Sequence, residues 1–288
     1  DLAKTITLSS TDISNPSASF SVSSAELGAD GAKSLTARLT DAAGNIGSIG
    51  AALSFNKDSL APTVSAVALT SAVGLQNNSL NAGDVVTATV TMSEAVNIRG
   101  TPTLTLTIGS SAVTASYDAA TSTATALRFN ATIVSGQNDA NGIAIAANSL
   151  ALNGGSISDA AGNAANLSHA PVADDAAYLV DTSAPSAPSA PSESGSSKLT
   201  DGYLNSSEAI SATSIRVPLG SSGAAAGDTL ELLLGGASFA TAKTITLSST
   251  DISNTYASFS VSSAELGARS EEHTSELQSR VDISYAVF

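Results

Sequence analysis

Carboxylate and amide side chains recur at fixed spacing in two short motifs. The sequence DAAGN occupies residues 41–45 and again 159–163, and DSLAP at residues 58–62 is echoed by DTSAP at 181–185. Another acidic group lies within residues 201–208. Their oxygens are the ligands that calcium prefers, since this ion takes about six to eight of them. The candidate calcium ligands are Asp41, Asn45, Asp58, Asp159, Asn163, Asp181, Asp201, Asn205 and Glu208.

Turn formation is a simpler explanation for the same residues. An Asp side chain accepts backbone N–H groups of the residues that follow it, and Gly adopts the positive φ that a chain reversal needs. Turn chemistry alone would thus select Asp and Asn at the ends of strands.

Apolar and polar residues alternate with period two through most of the chain, as expected for strands with one buried face. In residues 86–92, Val, Ala, Val and Met alternate with three Thr. No segment sustains a helical period, and Gly, Asn and Asp separate the short apolar runs. We therefore predict an all-β chain of antiparallel β-sandwiches. Other alternating runs are 35–39, 51–55, 104–108, 113–117, 127–133 and 230–234.

Composition excludes several classes of protein. The chain has 288 residues, of which 12% are charged, and its net charge is -14. Such an acidic chain repels phosphate backbones, so we expect no nucleic-acid partner. The absence of Cys excludes disulfides and thiolate zinc sites. No apolar run reaches the roughly 18 residues of a membrane span, so we expect no membrane insertion.

A near-identical repeat links the two ends of the chain. Residues 3–29 return as residues 242–268, and the copies differ only at Pro16/Thr255 and Ser17/Tyr256. Such identity over a long distance is typical of tandem duplication in a repetitive gene. We interpret the chain as about one period of a longer array.

Residues 269–288 differ in charge and composition from everything before them. Residues 269–279, RSEEHTSELQS, resemble the translation of a widely used short-read sequencing adapter, and residues 283–288 resemble the adapter segment beyond the sample index. We therefore interpret residues 269–288 as adapter-derived and exclude them, with His273, from functional reasoning.

Proline-containing segments predict the domain boundaries, because Pro ends a strand and stiffens the entry into the next domain. We expect residues 1–61 to be the C-terminal part of one immunoglobulin-like domain and 62–184 a complete domain. Residues 185–200 form a Pro/Ser-rich linker, whose regularly spaced Pro favours an extended connector. Residues 201–268 are expected to be the N-terminal part of a further domain.

Residues suited to catalysis are scarce. Outside the adapter-like tail, the one histidine is His169, in a polar loop, and no G-x-S-x-G elbow occurs. Asp174 and Asp175 are adjacent in a predicted strand and would point to opposite faces. We predict that the chain is not an enzyme.

The DAAGN turns, the D-x-x-AP motifs and residues 79–181 resemble the bacterial immunoglobulin-like repeats of large cell-surface and type I-secreted adhesins. The stretch from Ser79 to Asp181, which begins SLNAGDVVTATVTMSEAV and ends DAAGNAANLSHAPVADDAAYLVD, also resembles the repeat class associated with swimming motility. The resemblance implies tandem immunoglobulin-like sandwiches arranged as beads on a string. It further implies an extracellular or cell-surface location and calcium at domain junctions.

From these features we expect a non-catalytic extender segment of a bacterial adhesin, rigidified by calcium. Its partners would be neighbouring repeats of the same chain and, through regions outside this sequence, a host or matrix surface. The alternatives are a glycan- or protein-binding module of the adhesin and an accessory region of a secreted enzyme. Sugar sites usually stack on exposed aromatic rings, and most aromatic residues here lie in strand patterns, which favours the extender.

Overall fold

A computed structural model describes residues 3–15, 17–195 and 198–267. The predicted all-β character is confirmed, and the sheets of the described chain are antiparallel except for the pairing of Leu179–Asp181 with Ser79–Leu80. The chain divides into two compact units, of which the first ends at Ser183 and the second begins at Ala184. The finer division into parts of three domains remains a prediction, and the adapter-like residues 269–288 lie outside the described residues.

The first unit begins with a short helix and continues as strands. Its elements are α1 (Ser10–Ser14), β1 (Gly31–Leu35), β2 (Leu53–Lys57), β3 (Val64–Val73), β4 (Ser79–Leu80), β5 (Val85–Met92), β6 (Asn97–Arg99), β7 (Thr103–Ile108), β8 (Ser111–Tyr117), β9 (Ala126–Thr132), β10 (Asn138–Asp139), β11 (Ile143–Ile145), β12 (Leu150–Ala151), β13 (Ser156–Ser158), β14 (Val172–Asp175) and β15 (Leu179–Asp181). The main sheet has the order β14-β11-β7-β8-β9-β5-β3, and β12 also pairs with β7. Smaller sheets are β10-β15-β4, in which β15 and β4 are parallel, and β13-β6.

The inward side chains of β5, β7 and β9 pack together in one hydrophobic core. The alternation predicted for β5 is confirmed, because Val86, Ala88 and Val90 are fully buried while the Thr residues between them are partly exposed. Phe129 on β9 is also fully buried, and its ring lies 5.8 Å from that of Tyr117 between centroids. Each large apolar side chain buried in this way contributes about 1.5–3 kcal/mol to stability.

Residues 3–61 take no part in that core. β1 and β2 pair antiparallel from Gly31↔Lys57 to Leu35↔Leu53. Strands were predicted here with one buried face, but none of the described side chains between 3 and 61 is buried. A two-stranded ribbon has no second layer against which to bury a face, which explains the difference.

The second unit contains β16 (Ser192–Glu193), a 3₁₀ helix (Glu208–Ile210), β17 (Thr213–Pro218), β18 (Thr229–Leu234), β19 (Ala237–Thr246), α2 (Ser249–Asn254) and β20 (Tyr256–Val261). Its sheets are β16-β17-β20 and β18-β19. The first part of the predicted linker packs on this unit: the backbone N–H groups of Ser186 and Ser189 donate to the carbonyls of Ser222 (2.8 Å) and Pro218 (3.0 Å).

The helices α1 and α2 depart from the purely strand-like expectation. Each begins with a capping box, in which Ser9 pairs with Asp12 and Ser248 pairs with Asp251. The hydroxyl accepts a backbone N–H of the first turn, and the Asp carboxylate accepts the N–H of the capping Ser. The S-x-x-D spacing in both copies of the repeat is the sequence signal for these helices.

An ion pair also recurs in the two copies. Lys4 Nζ lies 2.7 Å from Glu26 Oε1, and Lys243 Nζ lies 2.6 Å from Glu265 Oε1. In the second copy, the N–H of Ser262 donates to Glu265 Oε2 at 2.8 Å. The repeated sequence therefore encodes the same local contacts twice.

Acid is expected to destabilise the second unit through Glu265. Hydrogen bonds from Lys243 and Ser262 lower the pKa of this carboxyl from its usual 4.5 to about 2. A group whose pKa is lowered by folding adds stability above its unfolded pKa, and this stability is lost as the pH falls through the folded value. We expect the melting temperature to decrease between about pH 4.5 and pH 2, and Glu265→Gln to flatten this decrease. Calorimetry across this range measures both effects.

Glu231→Gln is the matched control, because Glu231 is exposed on β18 and lies outside the ion pair. It should retain the wild-type pH profile. Equal flattening by both variants would contradict a specific role for Glu265.

Candidate cation site

The second DAAGN segment forms a closed turn directly after β13. Oδ1 of Asp159 accepts the N–H groups of Gly162 (2.7 Å) and Asn163 (2.8 Å). Its Oδ2 accepts the side-chain amide of Asn163 at 2.7 Å. Gly162 has φ +95°, which favours glycine. The motif thus specifies its own turn, as its residue types predict.

The Asp159 carboxylate is an anion held inside the protein. The side chain belongs to the buried set, with 4% of the residue exposed. Burial is the largest single influence on its pKa and raises it, but the hydrogen bonds from Asn163 and Gly162 together outweigh burial and lower the pKa below its usual 3.8. Asp159 is therefore charged at neutral pH.

The first DAAGN segment forms a similar turn at the surface. Asp41 Oδ1 accepts the N–H groups of Ala43 (3.0 Å) and Asn45 (2.8 Å), and Oδ2 accepts the Asn45 amide at 2.8 Å. Hydrogen bonds from the side chain and then the backbone of Asn45 lower the pKa of Asp41. These residues are exposed, so turn formation is sufficient to explain this pair.

Of the two DAAGN turns, both within the described residues, only the second contributes its Asp to a group of three carboxylates. Ligating oxygens of Asp58, Glu94 and Asp159 all lie within 4.8 Å of one another. Within residues 3–15, 17–195 and 198–267, this acidic triad is the one group of at least three Asp, Glu or His side chains with such spacing. The structure therefore brings together two predicted ligands, Asp58 and Asp159, with a residue that was not predicted, Glu94.

Backbone contacts position the three segments of the triad. The N–H of Ser93 donates to the carbonyl of Thr63 (2.8 Å), and the N–H of Thr63 donates to Ser93 Oγ (2.9 Å). The N–H of Asn166 donates to the carbonyl of Pro62 at 2.8 Å. These bonds hold the segment after β2 against the loops after β5 and β13.

Asn163 links the turn to the D-x-x-AP segment. Besides Asp159, its side-chain amide lies within hydrogen-bond distance of the carbonyls of Asp58 (3.2 Å) and Leu60 (3.4 Å). Three oxygens thus surround one amide nitrogen beside the acidic triad. Asn163 was predicted as a ligand, but here its side-chain nitrogen is a hydrogen-bond donor that orients these three oxygens.

The charge and the free lone pairs of the triad suit a cation. Oδ1 of Asp159 receives two donors and Oδ2 receives one, so Oδ2 keeps capacity for a further partner. The ion pairs of the described chain join Lys4, Lys57 and Lys243 to other acids, and none includes the triad. At about 4 Å, like charges repel by about 1 kcal/mol in water and about 4 kcal/mol near a protein surface. A bound cation would relieve this repulsion.

The remaining predicted ligands lie in separate local turns. Asp181 ends β15, and its Oδ1 accepts the N–H two residues further along; Asp201 does the same. Asn205 and Glu208 pair reciprocally, each accepting the other's backbone N–H, at 3.0 and 2.9 Å. Among the described residues, these side chains join no group of three acidic or His ligands.

The loop histidine has a structural setting. The N–H of Ser149 donates to His169 Nε2 at 2.9 Å, so that nitrogen is the acceptor. Nδ1 then carries the proton and faces the carbonyl of Ala170 at 2.8 Å. Both ring nitrogens are engaged by backbone, and the bond at Nε2 joins the loop after the second DAAGN turn to Ser149, directly before β12.

Among the described residues, none of the helices is both long and apolar enough to span a membrane. Comparison of the chain with models of known families, with curated proteins and with solved structures found no match. The acidic triad and the repeat are therefore the features from which function is inferred.

Proposed function

We propose that this chain is a non-catalytic extender segment of a bacterial cell-surface or secreted adhesin, built from tandem immunoglobulin-like sandwiches. The observation that carries the proposal is the repeat: residues 3–28 and 242–267 each form a short helix with the same capping box and the same Lys–Glu pair, and the β3–β15 sandwich lies between them in the sequence. Arrays of domains in series produce such long-period repetition of sequence and local structure. The expected partners are neighbouring repeats and, through regions outside this sequence, a host or matrix surface.

Calcium is the cofactor in this proposal, and the acidic triad is its site. The three carboxylates are hard oxygen ligands with no Cys or His among them, a set that suits calcium. Asp58 belongs to the segment after β2, whereas Glu94 and Asp159 belong to the β3–β15 sandwich. An ion held by all three would restrict motion between residues 3–61 and that sandwich, and so stiffen an extended stalk.

Calcium is expected to raise the melting temperature of the first unit, and Glu94→Gln is expected to abolish the rise. At ten times its Kd, a ligand of the native state adds about 1.4 kcal/mol, or about 3–6 °C for a unit of this size. Without calcium, Glu94→Gln should match or slightly exceed the wild type, because it removes one of three like charges. Calorimetry with calcium and with a chelator measures both effects.

Glu231→Gln is the control, since it makes the same charge change on exposed β18. It should keep the full calcium response, and small-angle scattering should find the same calcium-dependent dimensions as in the wild type. Calcium binding would be contradicted if calcium changed neither the melting temperature nor the scattering profile of the wild type. An equal response of Glu94→Gln and wild type would contradict this site.

Sequencing the parent gene tests the extender role separately. An array of repeats predicts that residue 268 is followed there by DGAKSLTARLTDAAGN, the sequence that follows the first copy at residues 30–45. A native continuation matching residues 269–288 would contradict both the array and the adapter interpretation.

The distribution of aromatic side chains favours an extender over a glycan-binding module. Phe129, Phe239 and Phe259 are buried in the two cores. Exposed rings are few among the described residues: Tyr203 is 76% exposed and Phe20 is 46% exposed, whereas sugar sites usually stack on exposed aromatic rings. A glycan array is expected to give no binding above that of a Tyr203→Ala variant.

A further inference from the structure

The β3–β15 sandwich contains two Asn-Gly pairs in opposite surroundings. They are Asn141-Gly142, directly before β11, and Asn153-Gly154, between β12 and β13. In such a pair the backbone nitrogen of Gly can attack the side-chain carbonyl carbon of the preceding Asn, because Gly is flexible and has no Cβ to obstruct the approach. In the folded protein, the rate then depends on what restrains these two groups.

The fold restrains both reacting groups of the first pair. The N–H of Gly142 donates to Oδ1 of Asp139 at 2.9 Å, and both residues are buried. The side-chain amide of Asn141 donates to Oδ2 of Asp174. An attack by the nitrogen of Gly142 would break a buried hydrogen bond and leave Asp139 without one of its donors, which is costly. The native structure therefore protects Asn141.

The second pair forms the tip of a tight turn. The N–H of Gly155 donates to the carbonyl of Leu152 at 2.8 Å and closes the turn. Asn153 and Gly154 have φ values of 48° and 78°. Positive φ at both central residues is typical of a type I′ turn, which favours Asn-Gly. The turn places both residues at the surface, where they are exposed.

Both reacting groups of the second pair are accessible. Within the described part of the chain, the N–H of Gly154 has no hydrogen-bond acceptor. The side-chain amide of Asn153 makes one long bond, to the carbonyl of Thr101 at 3.3 Å. The attacking nitrogen and the attacked carbon belong to adjacent residues, so rotation within the turn brings them together without moving another strand.

We propose that Asn153 is a site of spontaneous deamidation in the folded chain and that Asn141 is not. The nitrogen of Gly154 forms a bond to Cγ of Asn153, and the Cγ–Nδ2 bond breaks. The leaving nitrogen takes the amide proton of Gly154 and departs as ammonia. Water then opens the cyclic imide at either carbonyl. The products are an Asp at position 153 and an isoaspartate, in which the main chain runs through the former side chain.

The isoaspartate product does not fit the surroundings of this turn. A Cβ on Gly155 would lie 2.2 Å from the carbonyl oxygen of Arg99, and a Cβ on Gly100 would lie 2.9 Å from Cα of Gly155. The turn thus packs backbone against backbone, with no room for the methylene that isoaspartate adds to the main chain. We expect its formation to weaken the pairing of β13 with β6, which begins at Ser156↔Arg99.

Peptide mapping of the full chain tests this site. The native protein is incubated in mildly alkaline buffer well below its melting temperature, and mass spectrometry follows the gain of about one dalton that marks replacement of the amide by a carboxyl group. We expect Asn153 to react at least about ten times faster than Asn141, because Asn141 reacts only after local opening. Asn153→Gln should abolish the fast reaction, since Gln would have to close a larger ring.

Concentrated urea supplies the matched comparison, because unfolding frees both Asn-Gly pairs. There the two rates should agree within about threefold. Asn153→Asp is the control for the structural consequence, since it carries the new charge without the additional methylene. It should keep the wild-type melting temperature, whereas incubated wild type enriched in isoaspartate should melt at least about 2 °C lower.

Equal rates at Asn153 and Asn141 in the native chain would overturn the proposal. A chain in which Asn153 reacts in urea but not in the folded state would also overturn it, because the turn would then protect the pair. An unchanged melting temperature of the isoaspartate-containing chain would overturn the inferred effect on β13. None of these outcomes depends on calcium or on an array of repeats, so they are distinct from those that test the proposed function.

Discussion

Asp159→Ala is expected to lower the melting temperature of the first unit by about 5–10 °C without calcium, whereas Asp41→Ala should lower it by less than about 2 °C. In DAAGN turns of identical sequence, each of the two residues accepts a backbone and a side-chain hydrogen bond from the Asn of the motif. Asp159 is buried, so its donors lose their partner where water does not easily replace it. The donors of Asp41 are exposed and can bond to water instead.

Calorimetry of the two variants in a chelating buffer makes this comparison. Because the motif is the same, the difference between the variants isolates the effect of the surroundings. A similar loss from both would contradict a special role for the buried turn. Together with Glu94→Gln, which should cost nothing without calcium, the result separates turn formation from cation binding at the acidic triad.

Phe129→Ala is expected to lower the free energy of unfolding of the first unit by about 3–5 kcal/mol, the usual range for a buried Phe. Phe129 lies at the centre of the core, fully buried and against Tyr117. Since single domains are stable by about 5–15 kcal/mol, this loss removes a large part of the total. Urea denaturation followed by circular dichroism measures it.

Phe20→Ala is the control for the same chemical change. Phe20 is 46% exposed, and its replacement should change stability by less than about 0.5 kcal/mol. A comparable cost for both variants would mean that residues 3–27 are covered in the monomer, contrary to the structure.

The candidate site was predictable in part. Asp58, Asp159 and Asn163 were identifiable because D-x-x-AP and DAAGN place side chains with known turn chemistry at strand ends, and the structure brings these three together. Glu94 was not identified, although it directly follows the alternating strand β5 and Ser93. Local sequence indicates where a strand ends, but which ends meet depends on the pairing of strands far apart in the chain.

The periodicity of the sequence by itself determined the all-β fold and the inward face of β5, because side chains alternate across a strand wherever it lies. The motifs likewise determined the DAAGN turns, whose hydrogen bonds join residues at most four apart. Burial was decided by tertiary structure alone. Residues 3–28 and 242–267 are nearly identical in sequence, yet Phe259 is buried and Phe20 is exposed. Burial needs a second surface, and within the described chain only residues 242–267 have β17 and β18 to supply one.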